Sequence, residues 1–171
     1  MAGKILYPKR EAERMLVAFE GQIAGLREYE TETDYTVGSI SSDRYAKFRS
    51  KSGEIYTLGI IVRTRLNNLE SGPDAALTER FDRALVAAQQ TMIQASLKFM
   101  EVLSKLALLP MGAREIFTGE LRSLYDARER LRDPRLAPYI DADLGRKIDT
   151  AEAVLQVIID KAPQLLSFGE G

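Results

Sequence analysis

Apolar residues recur with helical spacing in the first segment of the chain, residues 9–32. They step by four, three, four and three residues, which places them on one face of a helix. This face consists of Ala12, Leu16, Phe19, Ile23 and Leu26. Gly21 and Gly25 lie four residues apart in the same segment, and they mark either a close helix–helix contact or two tolerated glycines. We therefore predict a helix over 9–32, with Pro8 suited to its start.

Residues 43–70 are compatible with two structures. A heptad series of six apolar and two small residues predicts a long amphipathic helix. Its positions are Tyr45, Phe48, Ser52, Ile55, Gly59, Val62, Leu66 and Leu69. The alternative is a β-hairpin over 44–65 that turns at 52–53, because apolar and polar residues alternate from 56 to 62 and β-branched residues are frequent. The continuous heptad series and the helical neighbours favour the helix, which is our prediction.

The most regular apolar pattern covers residues 75–109. There, apolar residues are spaced alternately by four and three residues over four heptads. This coiled-coil-like seam consists of Phe81, Leu85, Ala88, Met92, Ala95, Phe99, Val102, Leu106 and Leu109. Apolar residues beside the seam predict that the C-terminal half of this helix is covered on more than one side. Asp74 is suited to cap its start, and Pro110 and Gly112 are suited to end it. A helix of this length spans about 52 Å, whereas a compact domain of this size is about 40 Å across.

Two further helices are predicted over 113–132 and 141–162, the second ending at Pro163. Together the five segments predict an all-α fold, an elongated bundle of about five helices with the long helix 75–109 at its centre. We expect a single helical domain over 1–171, with an ordered core over about 9–162. Circular dichroism is expected to show at least roughly 65% helix.

The missing residue types restrict the chemistry of this 171-residue chain, which has no histidine, cysteine or tryptophan. Catalytic triads, cysteine nucleophiles and zinc sites of thiolate and imidazole are thereby excluded. The sequence also contains no phosphate-binding loop, dinucleotide fingerprint or nucleophile elbow, so we expect no cofactor. The lack of cysteine fits a reducing compartment. No apolar run approaches the roughly 20 residues of a membrane span, and we expect a cytoplasmic protein without a membrane partner.

A basic segment with interleaved aromatic residues is the main candidate for binding. Its cations are Arg44, Lys47, Arg49, Lys51, Arg63 and Arg65. Cations beside aromatic rings suit contact with a nucleic-acid backbone and stacked bases. In the helical register, however, most of these residues flank the apolar seam, where charges pair with a neighbouring helix. The acidic residues of segment 9–32 or of a second subunit offer such partners, and we favour this pairing over nucleic-acid contact.

Two carboxylate pairs are weaker candidates for a magnesium site. Glu79 with Asp82, and Asp149 with Glu152, are each three residues apart and therefore share a helix face. Such pairs are common on charged helices, so a magnesium-dependent all-α phosphohydrolase is our third hypothesis. The favoured function is a non-enzymatic helical assembly or adaptor protein that acts through helix packing, as a homo-oligomer or with another helical protein. A helical subunit that binds a nucleic-acid backbone through residues 44–65 is the second.

Overall fold

In a computed structural model, the chain folds into helices, and the structure describes residues 5–35, 42–105 and 113–167. Over these ranges it contains five α-helices, one short 3-10 helix at Ala137–Tyr139 and no β-strand. The helices are α1 (Lys9–Glu32), α2 (Ser42–Leu66), α3 (Ala75–Ser104), α4 (Ala113–Leu131) and α5 (Ala142–Ser167). The predicted all-α fold with five helices is therefore confirmed.

Helix α2 is uninterrupted, so the alternative β-hairpin at 44–65 is wrong. The predicted heptad positions are buried from Phe48 to Leu66, and Tyr45 lies among the residues whose side chains are outside the described set. A strand with period two would expose half of these positions, whereas a helix collects them on one face. The β-branched Thr57 and Thr64 fit the outer face, because their hydroxyls donate to the carbonyls of Gly53 and Ile60.

Most helix boundaries lie within a few residues of the prediction. Helix α1 has the predicted limits, and Oδ1 of Asp74 caps α3 by accepting a hydrogen bond from the backbone N–H of Leu77 at 3.0 Å. Helix α3 was predicted to extend to residue 109, but it ends at Ser104 and Lys105 lies in a turn. Residues 106–109 lie outside the described residues. The prediction that Pro163 ends the last helix is wrong, because α5 continues to Ser167. Proline removes one backbone hydrogen bond, but its φ near −65° is compatible with a helix.

The chain divides into two compact units, residues 1–91 and residues 92–171. Helix α3 crosses this boundary, so its first part belongs to one unit and its last part to the other. Its seam is buried at most described positions, and Ile93 and Met100 beside the seam are also buried. Burial on more than one side of α3 is thus confirmed. The single domain expected over 1–171 stays a prediction.

In the first unit, α1 and α2 pack closely around Gly59. A Cβ added at this glycine would lie 3.2 Å from Cε2 of Phe19. Phe19 is fully buried, and its ring stacks on Phe81 of α3 with centroids 5.4 Å apart. Gly59 is therefore the position at which the two helices require the absence of a side chain.

The N-terminal segment fastens the end of α2 to the start of α3. The backbone N–H of Tyr7 donates to the carbonyl of Asn68 at 2.8 Å, and the N–H of Glu70 donates to the carbonyl of Tyr7 at 3.0 Å. Lys9 forms an ion pair of 2.6 Å with Asp74. This pair raises the pKa of Lys9, and the hydrogen bond from Lys9 holds the pKa of Asp74 below its usual value.

In the second unit, α4 and α5 pack against each other. Their buried apolar residues recur with helical spacing and are Leu124, Ala127, Leu131, Leu144, Ala151 and Leu155. Glu152 of α5 lies 3.2 Å from Arg132 and 4.0 Å from Arg128 of α4. Glu152, one of the two carboxylates of a predicted metal pair, is therefore part of an ion-pair network between helices.

Candidate functional site

Arg65, at the end of α2, contacts three side chains of the N-terminal region. Its Nη1 lies 2.9 Å from a carboxylate oxygen of Glu11. Its guanidinium lies 4.7 Å from the ring centroid of Tyr7, and its Nε donates to the sulfur of Met15. The pairing expected between the basic segment and the acidic residues of α1 is present at this residue.

Two further cations of the basic segment lie over aromatic rings of neighbouring helices. The guanidinium of Arg63 is 5.5 Å from the ring centroid of Phe81 in α3. The ammonium of Lys51 is 6.0 Å from the ring centroid of Tyr29 in α1. At such distances the electron-rich ring face attracts the cation. These side chains therefore join α2 to its neighbours.

The remaining cations of the basic segment differ in their exposure and in their contacts. Arg49 is half-buried and lies 5.5 Å from the ring of the adjacent Phe48. Lys47 is exposed and forms no ion pair within the described residues. The side chain of Arg44 is outside the described set. Since successive helical residues turn by about 100°, Arg49 and Arg63 occupy one flank of α2 and the other described cations the opposite flank. The segment thus forms two flanks and not one basic surface.

The solvent-facing side of α2 carries apolar residues. Tyr56 is 48% exposed and Ile60, one turn later on the same face, is 51% exposed. Ile61 is also partly exposed. Single exposed apolar residues are normal on proteins, but neighbours on one helical face form a small continuous surface. Tyr56 and Ile60 therefore give α2 a second face that is suited to packing.

Helix α1 also has a second regular face, opposite its buried one. We call this row the outer face of α1, and it consists of Arg10, Arg14, Val17, Gly21, Gly25, Glu28 and Glu32. All of these residues are exposed except Gly25, which is half-buried, and Val17 is 57% exposed. A Cβ added at Gly21 or Gly25 would meet nothing within 4 Å. The two glycines are thus not needed for helix packing within the described part of this chain.

The four carboxylates of the predicted metal pairs have different surroundings, and two of them already form ion pairs with arginines. Glu79 is bound by Arg83 of the same helix at 2.6 Å, and Asp82 is buried. Asp149 is exposed, and Glu152 pairs with α4 as described above. Among the residues that the structure describes, no three acidic side chains converge in the way a metal ion requires.

Sequence reasoning missed a buried polar row on α3. Asp82, Gln89 and Ser96 follow one another at intervals of seven residues, and all three are buried. The side-chain oxygen of Gln89 is buried and accepts no hydrogen bond from the described residues. The heptad interval was visible in the sequence, but polar residues beside an apolar seam are normally assigned to solvent. Their burial shows that α3 is covered beyond its seam.

The ion pairs between helices explain the shifted pKa values in the first unit. The carboxylate of Glu20 in α1 accepts a hydrogen bond of 2.7 Å from Arg80 in α3 and raises the pKa of that guanidinium. In the Lys9–Asp74 pair, the carboxylate likewise raises the pKa of the cation that it binds. These shifts come from contacts that join helices at the surface, so they point to structural roles for the groups concerned.

Comparison with protein-family models, curated proteins and solved structures gave no match to this chain. A search of the described helices for a stretch both long and apolar enough to span a bilayer found none.

Proposed function

We propose that this chain is a non-enzymatic assembly protein that acts through helix packing and associates with copies of itself. The observation that carries this proposal is the solvent side of the first unit. There α1 and α2 each bury one face and leave a second regular face exposed, with Val17 on α1 and Tyr56 and Ile60 on α2. Regular helical faces with exposed apolar or small residues are suited to docking another helix.

The disposition of the basic segment supports this choice over nucleic-acid binding. Arg65 forms an ion pair with Glu11 and contacts the ring of Tyr7, and Arg63 lies over the ring of Phe81. A cation that already contacts a carboxylate or an aromatic ring would have to give up that contact to bind a phosphate. Among the cations whose side chains the structure describes, only Lys47 and Lys51 combine exposure with a shared flank of α2. Two lysines provide little of the multiple phosphate contact on which backbone binding depends.

The test is size-exclusion chromatography with light scattering, run with and without single-stranded RNA. We expect a mass above that of the 19.1 kDa monomer, rising with protein concentration, and no change in elution when RNA is added at about 0.15 M salt. A monomer at every concentration would contradict self-association. A complex with RNA whose affinity falls with salt, at a log–log slope of about −0.7 per contact, would instead establish the nucleic-acid hypothesis.

Substitution of Arg49 and Lys51 by Ala together separates the two hypotheses at the residue level. If these cations bind phosphates, the double variant loses RNA affinity and keeps its melting temperature. If they pack within the fold or against another subunit, RNA affinity is negligible from the start and the melting temperature falls modestly. We expect the second result, since the contacts of Arg49 and Lys51 with the rings of Phe48 and Tyr29 are of a kind that contributes about 0.5–1 kcal/mol each at exposed sites.

A further inference from the structure

The outer face of α1 carries its charges in a definite order. Arg10 and Arg14 lie in the first half of the helix, and Glu28 and Glu32 lie in the second half. None of these four side chains forms an ion pair or side-chain hydrogen bond within the described residues. The glycines and Val17 separate the basic half from the acidic half.

This order opposes the stability of the isolated helix. The N-terminus of a helix carries partial positive charge and favours acidic residues, and its C-terminus favours basic ones. Arg10 in the first turn and Glu32 at the last position of α1 are therefore each at the less favourable end. Neither the helix itself nor its neighbours in the described chain account for this placement.

The same order is complementary to itself when a second α1 is laid antiparallel. Arg14 and Glu28 each lie seven residues from Gly21, and Arg10 and Glu32 each lie eleven residues from it. A two-fold axis at Gly21 therefore brings Arg14 opposite Glu28 of the second copy, and Arg10 opposite Glu32 of the second copy. Each pair occurs twice, as in any interface in which both partners use the same surface.

The centre of the face allows the two helices to approach. Gly21 would lie against Gly21 of the second copy, and Val17 would lie against Gly25 of the second copy. At both glycines the space that a Cβ would occupy is empty to 4 Å, so no part of the described chain has to move aside. Packed helices have axes about 8–10 Å apart, and small residues at the crossing permit the lower end of this range.

We infer that two copies of this chain associate through the outer faces of α1, antiparallel and centred on Gly21, with Arg14 and Arg10 bound to Glu28 and Glu32 of the second copy. This inference rests on the proposed self-association and adds the surface, the orientation and the register. In a parallel arrangement in register each arginine would face an arginine and each glutamate a glutamate. The charge order therefore selects the antiparallel dimer.

Charge reversal tests the register. Sedimentation equilibrium of the full chain from about 1 to about 300 µM measures the dimer constant. Arg14→Glu and Glu28→Arg should each weaken the dimer by roughly tenfold to hundredfold, because two attractive pairs become two repulsive ones. Arg27→Glu is the matched control, since it reverses an exposed charge on the same helix but off the outer face, and it should leave the dimer constant within about threefold.

Restoration gives the decisive result. The double variant with Arg14→Glu and Glu28→Arg exchanges the two charges and should recover most of the wild-type affinity. A mixture of the two single variants should form heterodimers more tightly than either variant forms homodimers, because each reversed charge then meets its opposite. Heterodimer formation is measured by placing an affinity tag on one variant and a fluorescent label on the other, and then recording the fluorescence retained with the tagged variant.

A steric variant tests the crossing point independently of charge. Gly21→Leu should abolish the dimer while the melting temperature of the monomer is kept or raised, since its side chain meets nothing in the described chain. If wild type self-associates and none of these variants changes the dimer, the α1 interface is wrong and the proposed function stands. If single variants weaken the dimer but neither the double variant nor the mixture restores it, the antiparallel register is wrong. If wild type is monomeric throughout, both proposals are wrong.

Discussion

Gly59→Ala changes one atom at the closest approach of α1 and α2, and we expect it to destabilise the fold. The new Cβ would lie 3.2 Å from Cε2 and 3.4 Å from Cζ of Phe19, which is tighter than ordinary contact. The ring cannot easily withdraw, because Phe19 is fully buried and stacked on Phe81. Overpacking of this kind costs about 1–3 kcal/mol. It outweighs the gain of about 1 kcal/mol from replacing a helical glycine by alanine.

The net expectation is a loss of up to about 2 kcal/mol in the free energy of unfolding. For a chain of this length each kcal/mol shifts the melting temperature by about 2–4 °C. Gly53→Ala is the matched control in the same helix, because a Cβ there meets nothing within 4 Å. It should stabilise the fold by about 0.4–1 kcal/mol. Urea unfolding monitored by circular dichroism measures both variants.

A double-mutant cycle identifies the cause. Phe19→Leu removes the ring atoms that the new Cβ would meet, so Gly59→Ala should cost much less in that background than in wild type. The reasoning is refuted if Gly59→Ala is as stabilising as Gly53→Ala. It is also refuted if the cost of Gly59→Ala is the same with Leu at position 19 as with Phe.

Three other substitutions test two contacts that join the helices and one buried amide. Arg65→Ala should lower the free energy of unfolding by about 1–2 kcal/mol through loss of its ion pair and ring contact, whereas Lys47→Ala on the same flank should change it by less than about 0.5 kcal/mol. Asp74→Asn keeps an acceptor for the cap of α3 but loses the ion pair with Lys9, so its melting temperature should lie between those of wild type and Asp74→Ala. Because the folded pKa of Asp74 is lowered, the pair's contribution is present above the unfolded value of 3.8 and is lost as pH falls through the folded pKa; the gap between wild type and Asp74→Asn should therefore close in acid. Gln89→Met removes a buried amide oxygen that accepts no hydrogen bond from the described residues, and it should raise the free energy of unfolding by about 1 kcal/mol. A fall in the free energy of unfolding would show that this amide has a partner such as bound water.

The helices were predictable because each has an apolar face with regular helical periodicity, to which α3 adds further buried positions beside its seam. In α2 this periodicity was a better guide than residue preference, since the helix accommodates β-branched residues on both sides. Ile55 and Val62 are buried, and Thr57 and Thr64 lie on the outer face. The end of α5 was not predictable from Pro163, because a proline can remain in a helix when its neighbours keep helical geometry. The close approach at Gly59 was also missed. Two helical glycines at 21 and 25 drew attention instead, and sequence alone does not show which glycine faces a ring.

The candidate surfaces were only partly predictable. The basic segment was correctly located on one helix, and the contact of Arg65 with Glu11 follows from charges that flank an apolar seam. The rings that receive Lys51 and Arg63 come from other helices, so their positions depend on packing that no local pattern encodes. The outer face of α1 escaped notice because periodicity analysis counts apolar residues. Its signal is the order of charges about a central glycine, and it has meaning only when the face is known to be exposed.

The composition of the outer face of α1 limits the strength of the dimer we infer. Permanent dimer interfaces bury more than about 2,000 Å² and are largely apolar, whereas this face carries one large apolar side chain, Val17. Most of its specificity comes from exposed ion pairs, which are screened as the Debye length falls from about 10 Å at 0.1 M salt to about 3 Å at 1 M. We therefore expect a reversible dimer whose dissociation constant rises as salt is added. A dimer as tight at high salt as at low salt would require an apolar interface instead. Tyr56 and Ile60 of α2 would then be the residues to replace by serine, and loss of that dimer would move the interface from α1 to α2.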